Sequence, residues 1–339
     1  MRWGVFFFLV LLMICAPIPL ASQSSQSGGD FAPSDAVIPP GSAIPKGVIL
    51  VKGAWASASD SVTPVPEGGG VNGNTFRNQY FGMTYALPKG WIEKYQGPPP
   101  SDTGRYVLAQ LRPAEKLNGS LAGTMLITAQ DMFFTPLPAS NALQLVTYNK
   151  DNLQADYKLE LATTQTKIGG RPFVFYAYWS PVAELHWYVL ATEIRCHAVE
   201  IVLTSRDTKL LESLVLDMNQ MGLPAEASPT GGRGGGTVPV CMANYANGPN
   251  VISRVEPVFS DRTFNPVPVR IIVDKTGKVK HIHFLSAFPN QTKAISAALT
   301  KWRFKPYIQN GQPTEVETGI MFGNAPRHMS TRADAGSVD

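Results

Sequence analysis

The chain has 339 residues, enough for two ordinary domains. With 44% hydrophobic and 16% charged residues, its composition is that of a folded protein and excludes a disordered one. A formal net charge of +4 is too mild for a nucleic-acid partner and allows at most a weak contact with an anionic membrane surface.

The N-terminus opens with Met1-Arg2, runs apolar from Val5 to Ala16, and reaches the small residue Ala21 before polar Ser22. This is the pattern of a secretory signal peptide over residues 1–21. It implies cleavage near Ala21 and a periplasmic or secreted mature protein. An uncleaved inner-membrane anchor is the alternative, but it needs about twenty apolar residues, and Pro17 and Pro19 interrupt the stretch. Lipidation at Cys15 is a third option, against which Ile14 stands where a small residue is normal. Residues 22–72 are rich in Ser, Pro and Gly and read as linker, with one strand expected inside Lys46 to Trp55.

Residues 73–224 read as an α+β domain. Tyr80 to Leu87, Arg105 to Leu111, Thr124 to Asp131 and Pro172 to Trp179 have strand patterns, and Leu185 to Ile194 with Ala198 to Thr204 make a hairpin. Ser140 to Asp156 predicts a helix capped by Ser140 or Asn141, with Leu143, Val146 and Leu153 inward. A second helix, Asp207 to Met221, sets Leu211, Leu214, Val215 and Met218 on one stripe before Gly222 and Pro224. Residues 225–237 are a glycine-rich hinge. They are no phosphate loop, because no Gly-Lys-Ser/Thr is present and no strand or helix flanks them.

Residues 238–323 predict a second, smaller α+β domain, and 324–339 a disordered tail. Pro268 to Val273 reads as a strand, Asp274-Lys275-Thr276-Gly277 as a tight turn, and Lys278 to Leu285 as the returning strand. Pro289 to Trp302 spaces Ile295, Leu299 and Trp302 as a helix. Phe304 to Ile308 and Thr314 to Phe322 then form a hairpin about Asn310-Gly311.

Chemistry is sparse. No His-Glu-x-x-His, Gly-x-Ser-x-Gly or Ser-x-x-Lys arrangement occurs, and no catalytic residue, metal or cofactor is predicted. His281 and His283 share a strand face, as exposed histidines or as two ligands lacking others. His186 and His197 are expected near the surface of the hairpin. Removing the signal leaves Cys196 and Cys241, either as a disulfide between the domains or as free thiols. Phe173, Phe175, Tyr176, Tyr178, Trp179, Trp187 and Tyr188 either line a ligand groove or pack across strands.

Two resemblances add to this. Val255-Glu256-Pro257-Val258-Phe259, Asp274 to Val279, Trp302-Arg303-Phe304-Lys305-Pro306 after Lys301, and Asn310-Gly311-Gln312-Pro313 resemble the C-terminal domain of the TonB family over about a quarter of the chain. Ser260 to Pro266 departs from that pattern. Asn78-Gln79-Tyr80-Phe81-Gly82-Met83, Leu87-Pro88-Lys89-Gly90-Trp91 and Ile168-Gly169-Gly170-Arg171-Pro172 resemble the PsbP-like α/β/α sandwich family. Together they imply an exported, non-enzymatic interaction protein that binds envelope proteins, outer-membrane receptors among them; its oligomeric state stays open. The TonB resemblance implies strand addition along Thr314, Glu315, Val316, Glu317, Thr318, Gly319, Ile320, Met321 and Phe322. A free edge there favours this reading, and a covered edge removes it. A two-domain adaptor or ligand-binding protein, with the PsbP-like part carrying the specific function, is the alternative. An enzyme would need carboxylates and histidine converging in a pocket.

Overall fold

In the computed structural model, which describes residues 56–59, 63–95, 103–114, 123–225, 238–259 and 266–323, strands dominate and helices are few. The expected signal peptide, residues 22–55 of the linker, residues 226–237 of the hinge and the tail lie outside the described residues. The part of the linker that is described is built into the fold. It supplies β1 (Ala56–Ser59) and β2 (Gly70–Asn72), whereas the one strand expected in the linker, inside Lys46 to Trp55, lies outside the described residues.

β2 joins β3 (Thr75–Asn78) and β4 (Met83–Ala86) in a three-stranded antiparallel sheet. A seven-stranded sheet follows, built from β5 (Trp91–Tyr95), β6 (Arg105–Pro113), β7 (Thr124–Asp131), β8 (Lys158–Ile168), β9 (Arg171–Ser180), β10 (Leu185–Ile194) and β11 (His197–Ser205). Its order is β5-β6-β7-β11-β10-β9-β8. Both faces are covered, so β11 reads apolar on both sides. Val199, Ile201 and Leu203 meet α2 (Thr208–Asp217) and the small sheet, while Ala198 and Val202 meet α1 (Ala142–Asp151).

α1 and α2 each start where a side chain caps a free amide. Asn141 accepts from the Gln144 amide in α1, and Asp207 from the Lys209 amide in α2. α2 buries Leu211 and Leu214, and Met218 follows in a 3₁₀ turn, as the stripe predicts. α1 differs from expectation: it stops at Asp151 and buries Ala142, Leu145 and Val146, whereas Leu143 is half exposed. Ala142 and Leu145 pack with Ala198, and Leu143 lies off that face.

The C-terminal part contains β12 (Val240–Cys241), β13 (Val251–Ser253), β14 (Val267–Val273), β15 (Val279–Ala287), α3 (Pro289–Leu299), β16 (Arg303–Phe304), β17 (Tyr307–Gln309), β18 (Gln312–Thr314) and β19 (Val316–Phe322). A five-stranded sheet runs β1-β15-β14-β19-β12. On one face Val267, Val269, Ile271, Val273, Val316 and Ile320 bury α3 and Trp302. The β14–β15 turn requires Gly277, with φ +82°, because a Cβ there would overlap the Phe304 carbonyl oxygen.

The hairpin about Asn310-Gly311 is shorter than predicted. Only Tyr307–Gln309 pairs with Gln312–Thr314; β19 then leaves it and pairs with β14 from end to end. That route buries Val316, Ile320 and Phe322 in the α3 core, which an isolated hairpin would leave wet. The opposite face of this sheet, carrying Arg270, Glu317, His281, His283 and Leu285, is also buried. Leu285 joins the core of the seven-stranded part. The expectation of exposed strand histidines is corrected accordingly. His281 lies against Ser59 of β1, and His283 contacts Glu67 at 3.0 Å.

Candidate partner-binding site

The predicted docking edge is occupied by the chain itself. On the side of β19 away from β14, β12 adds in parallel, pairing Val240 with Val316 and Cys241 with Glu317. The Val240 amide donates to the Glu315 carbonyl (2.8 Å), and the Met242 amide to that of Glu317 (3.0 Å). The Thr318 hydroxyl reaches the Ala243 carbonyl, and a Cβ on Gly319 would lie 2.8 Å from Phe133 and 2.9 Å from Phe134. A disulfide joins Cys241 to Cys196 in the β10–β11 turn, with Cα atoms 5.7 Å apart, and so pins β12 in place. Val316 to Ile320 are buried, Met321 is half-buried and Phe322 is buried; Thr314 is half-buried in β18, and Glu315 pairs with Lys280 at 2.8 Å. Among the described residues the outer side of β19 is thus covered from Val316 to Gly319, which corrects the expectation of a free edge along the whole of Thr314 to Phe322.

The motif residues are structural. Trp302 is wholly buried, donates from Nε1 to the Val255 carbonyl (2.8 Å), and contacts the rings of Phe304 and Phe322. Arg303 donates to the carbonyls of Thr300 and Trp302, placing a cation at the α3 C-terminus. Lys305 and Pro306 are exposed, and the Lys305 carbonyl accepts from the Tyr245 hydroxyl. Asn310 and Gly311 both take positive φ, as the tight turn requires.

A cluster of charges fills the space between the two large sheets. Arg270 of β14 donates to Asp131 of β7 (2.5 Å) and pairs with Glu317 of β19 (3.0 Å). Tyr80 donates to the same Glu317 carboxylate (2.9 Å), and Arg195 lies 3.9 Å over the Tyr80 ring and 3.6 Å from the other Glu317 oxygen. His197 is buried rather than near the surface, boxed by Tyr80, Phe81 and Tyr106. Burial, reinforced by Arg270, pushes its imidazole well below the usual range, so it is neutral beside Asp131. Burial works to raise the Glu317 carboxyl, but Arg270 and Arg195 outweigh it and hold it low; at Asp131 burial prevails and the carboxyl is raised. Carboxylates and histidine thus converge, but the adjoining cavity is about 10 Å³, room for about one water. The cluster ties the sheets together.

An open edge lies elsewhere, at β8. It is the last strand of the seven-stranded sheet and pairs only with β9 among the described residues. Lys158 to Gln165 are exposed without a break. The ladder is irregular between Leu159 and Thr164 and regular from Thr164 to Ile168. In a regular strand Glu160 and Leu161 would face opposite ways; the bulge turns both toward α2. They line one side of an open groove of about 520 Å³, with Phe175 and Tyr188 at its base and Val215 and Leu216 of α2 opposite. The His186 ring holds Glu160 at 2.8 Å, while Glu212 stands on the α2 side.

Of the seven aromatic residues predicted as groove or packing, Phe175 and Tyr188 line this groove. Phe173 is in the main core, and Tyr176 packs beneath α1. Tyr178 stacks on Trp187 at 5.2 Å, and Trp179 on His186. β8 itself is absent from the sequence reading. Among the described residues no group of three metal-ligating side chains occurs, and no helix is long and apolar enough to cross a membrane.

No family model and no curated protein matches the chain. Among solved structures, the chain is similar to the solution structure of cyanobacterial PsbP (CyanoP) from Synechocystis sp. PCC 6803, at 16% identity and a TM-score of 0.31, over 46% of this chain and 96% of that one.

Proposed function

We propose that this chain is an exported, non-catalytic binding protein that takes an extended segment of an envelope protein by strand addition along β8. On this reading it is a two-domain adaptor, a PsbP-like sandwich followed by a TonB C-terminal-like unit, as its sequence motifs imply. The docking strand belongs to the first of these, and the second acts as a braced scaffold. One observation carries the reading: eight consecutive exposed residues, Lys158 to Gln165, on an edge strand with no outer neighbour among the described residues. Unpaired main-chain groups in the regular part of this strand, from Thr164 onward, supply sequence-tolerant affinity, at a net of about 1 kcal/mol per hydrogen bond. The adjacent groove offers a pocket for one or two side chains of the incoming strand.

The test is selection of a random-peptide display library on the oxidised protein. Selected peptides should slow amide hydrogen exchange in β8, and Leu161→Lys combined with Thr163→Pro should abolish binding while circular dichroism stays native. Peptides that protect other segments and bind this variant equally well would overturn the proposal.

A further inference from the structure

We infer that the segment accepted along β8 is basic and apolar: a Lys or Arg side chain placed beside a bulky aliphatic or aromatic one. This rests on the strand-addition reading above and names what the groove selects.

The groove combines two chemistries. Its lining is largely apolar, and Leu161 and Leu216 face it while 38% and 68% exposed, an arrangement the free protein leaves unsatisfied. Filling it with one large side chain removes apolar surface from water on both partners. The only charged residues in the lining are Glu160 and Glu212, and no cationic side chain lines it. Lys158, at the start of β8, is engaged over the Trp179 ring at 5.7 Å. Both carboxylates line the same groove as Tyr188; burial raises the Tyr188 hydroxyl, and Glu212 and then Glu160 raise it further. Phe175 and Tyr188, with ring centroids 5.4 Å apart, present aromatic surface to the same space.

A cation entering this space meets two carboxylates and an aromatic face beside an apolar wall, where water is partly excluded and ion pairs gain strength. An acidic side chain would meet like charge twice, which is discrimination by repulsion as well as by attraction. Because β8 is irregular from Leu159 to Thr164, the incoming strand cannot pair regularly there. Main-chain pairing falls to Thr164 to Ile168, and the bulged half reads side chains.

The display selection decides this when its sequences are compared between proteins. On the wild type, selected peptides should be enriched in Lys or Arg next to a large apolar residue. A representative peptide should bind about tenfold more tightly than its Arg→Glu counterpart, and rising salt should narrow that gap. On the Glu160→Gln/Glu212→Gln double variant, the enrichment and the gap should vanish while β8 protection persists. Selected peptides that protect β8 without basic enrichment would overturn this inference and leave strand addition standing. If no peptide protects β8, both fall. Octylamine serves as the small-molecule probe: if it displaces the peptide completely and binds as tightly, the groove takes amphipathic amines and the peptide assignment is wrong.

Discussion

β8 and β19 lie toward the borders of different sheets, and the chain treats them in opposite ways. β19 is apolar, almost wholly buried, and capped by β12, by the Cys196–Cys241 disulfide and by Phe133 and Phe134. β8 is polar, exposed and uncapped among the described residues. A strand that carries core residues on one face and a buried ion pair on the other cannot be left open, because fraying would wet both. β8 contributes little to any core, so leaving it open costs little stability. Its bulges and the charges of Lys158, Glu160 and Lys167 guard it against pairing with copies of itself. On the proposed function, the edge used for recognition is the one least needed for folding.

The largest expected effect breaks the closed side of this contrast. Arg270→Met should leave Asp131 buried without its cation and Glu317 with Arg195 alone, and cost about 3–5 kcal/mol, read from denaturant unfolding; a loss below 1 kcal/mol would show that the cluster is not what binds the sheets. Next, Cys196→Ser with Cys241→Ser removes a bond spanning 45 residues of sequence and should cost about 2–4 kcal/mol. Amide exchange in β19 should accelerate in that variant, while β8 exchange stays unchanged.

The acid side of neutrality should separate the two edges further. His197 is held neutral in the folded protein, so below its ordinary value of about 6.5 only the unfolded chain gains that proton. Its contribution is fully present above that value and is lost as pH falls, at up to about 1.4 kcal/mol per pH unit. Unfolding measured from pH 7 to 5 should show this slope, and His197→Asn should flatten it; an unchanged slope would place the titration elsewhere. The smallest effect on folding is at the open side. Leu216→Glu should change stability by less than about 0.5 kcal/mol yet abolish binding of peptides selected on β8.

Most of the helices were legible where one face is wet and the other dry, as in the α2 stripe of Leu211 and Leu214. The β10–β11 hairpin, buried on both faces of β11, was legible instead from two apolar, β-branched runs on either side of a short turn. β8 was not, because Leu159 and Leu161 are its only large apolar residues before Ile168 and neither face is buried from Lys158 to Gln165, leaving no two-residue burial pattern. The Gly169-Gly170 turn ahead of β9, both residues at positive φ, was the available signal for a strand before it. β12 was illegible for another reason: two residues hold no period, and its partner lies far along the chain. The charge cluster joins Asp131 to Arg270 across 139 residues, beyond any spacing rule. A lone arginine within Val267–Val273, and a lone glutamate in Val316–Phe322, did mark strands needing buried counterions.

The contrast between the two edges is tested most directly by amide hydrogen exchange, read peptide by peptide, on the oxidised protein with and without a display-selected ligand. The prediction is that β8, from Lys158 to Ile168, exchanges fast in the free protein and is protected on binding, while β19 is slow in both states. Protection appearing at β19, or β8 already slow in the free protein, would contradict it.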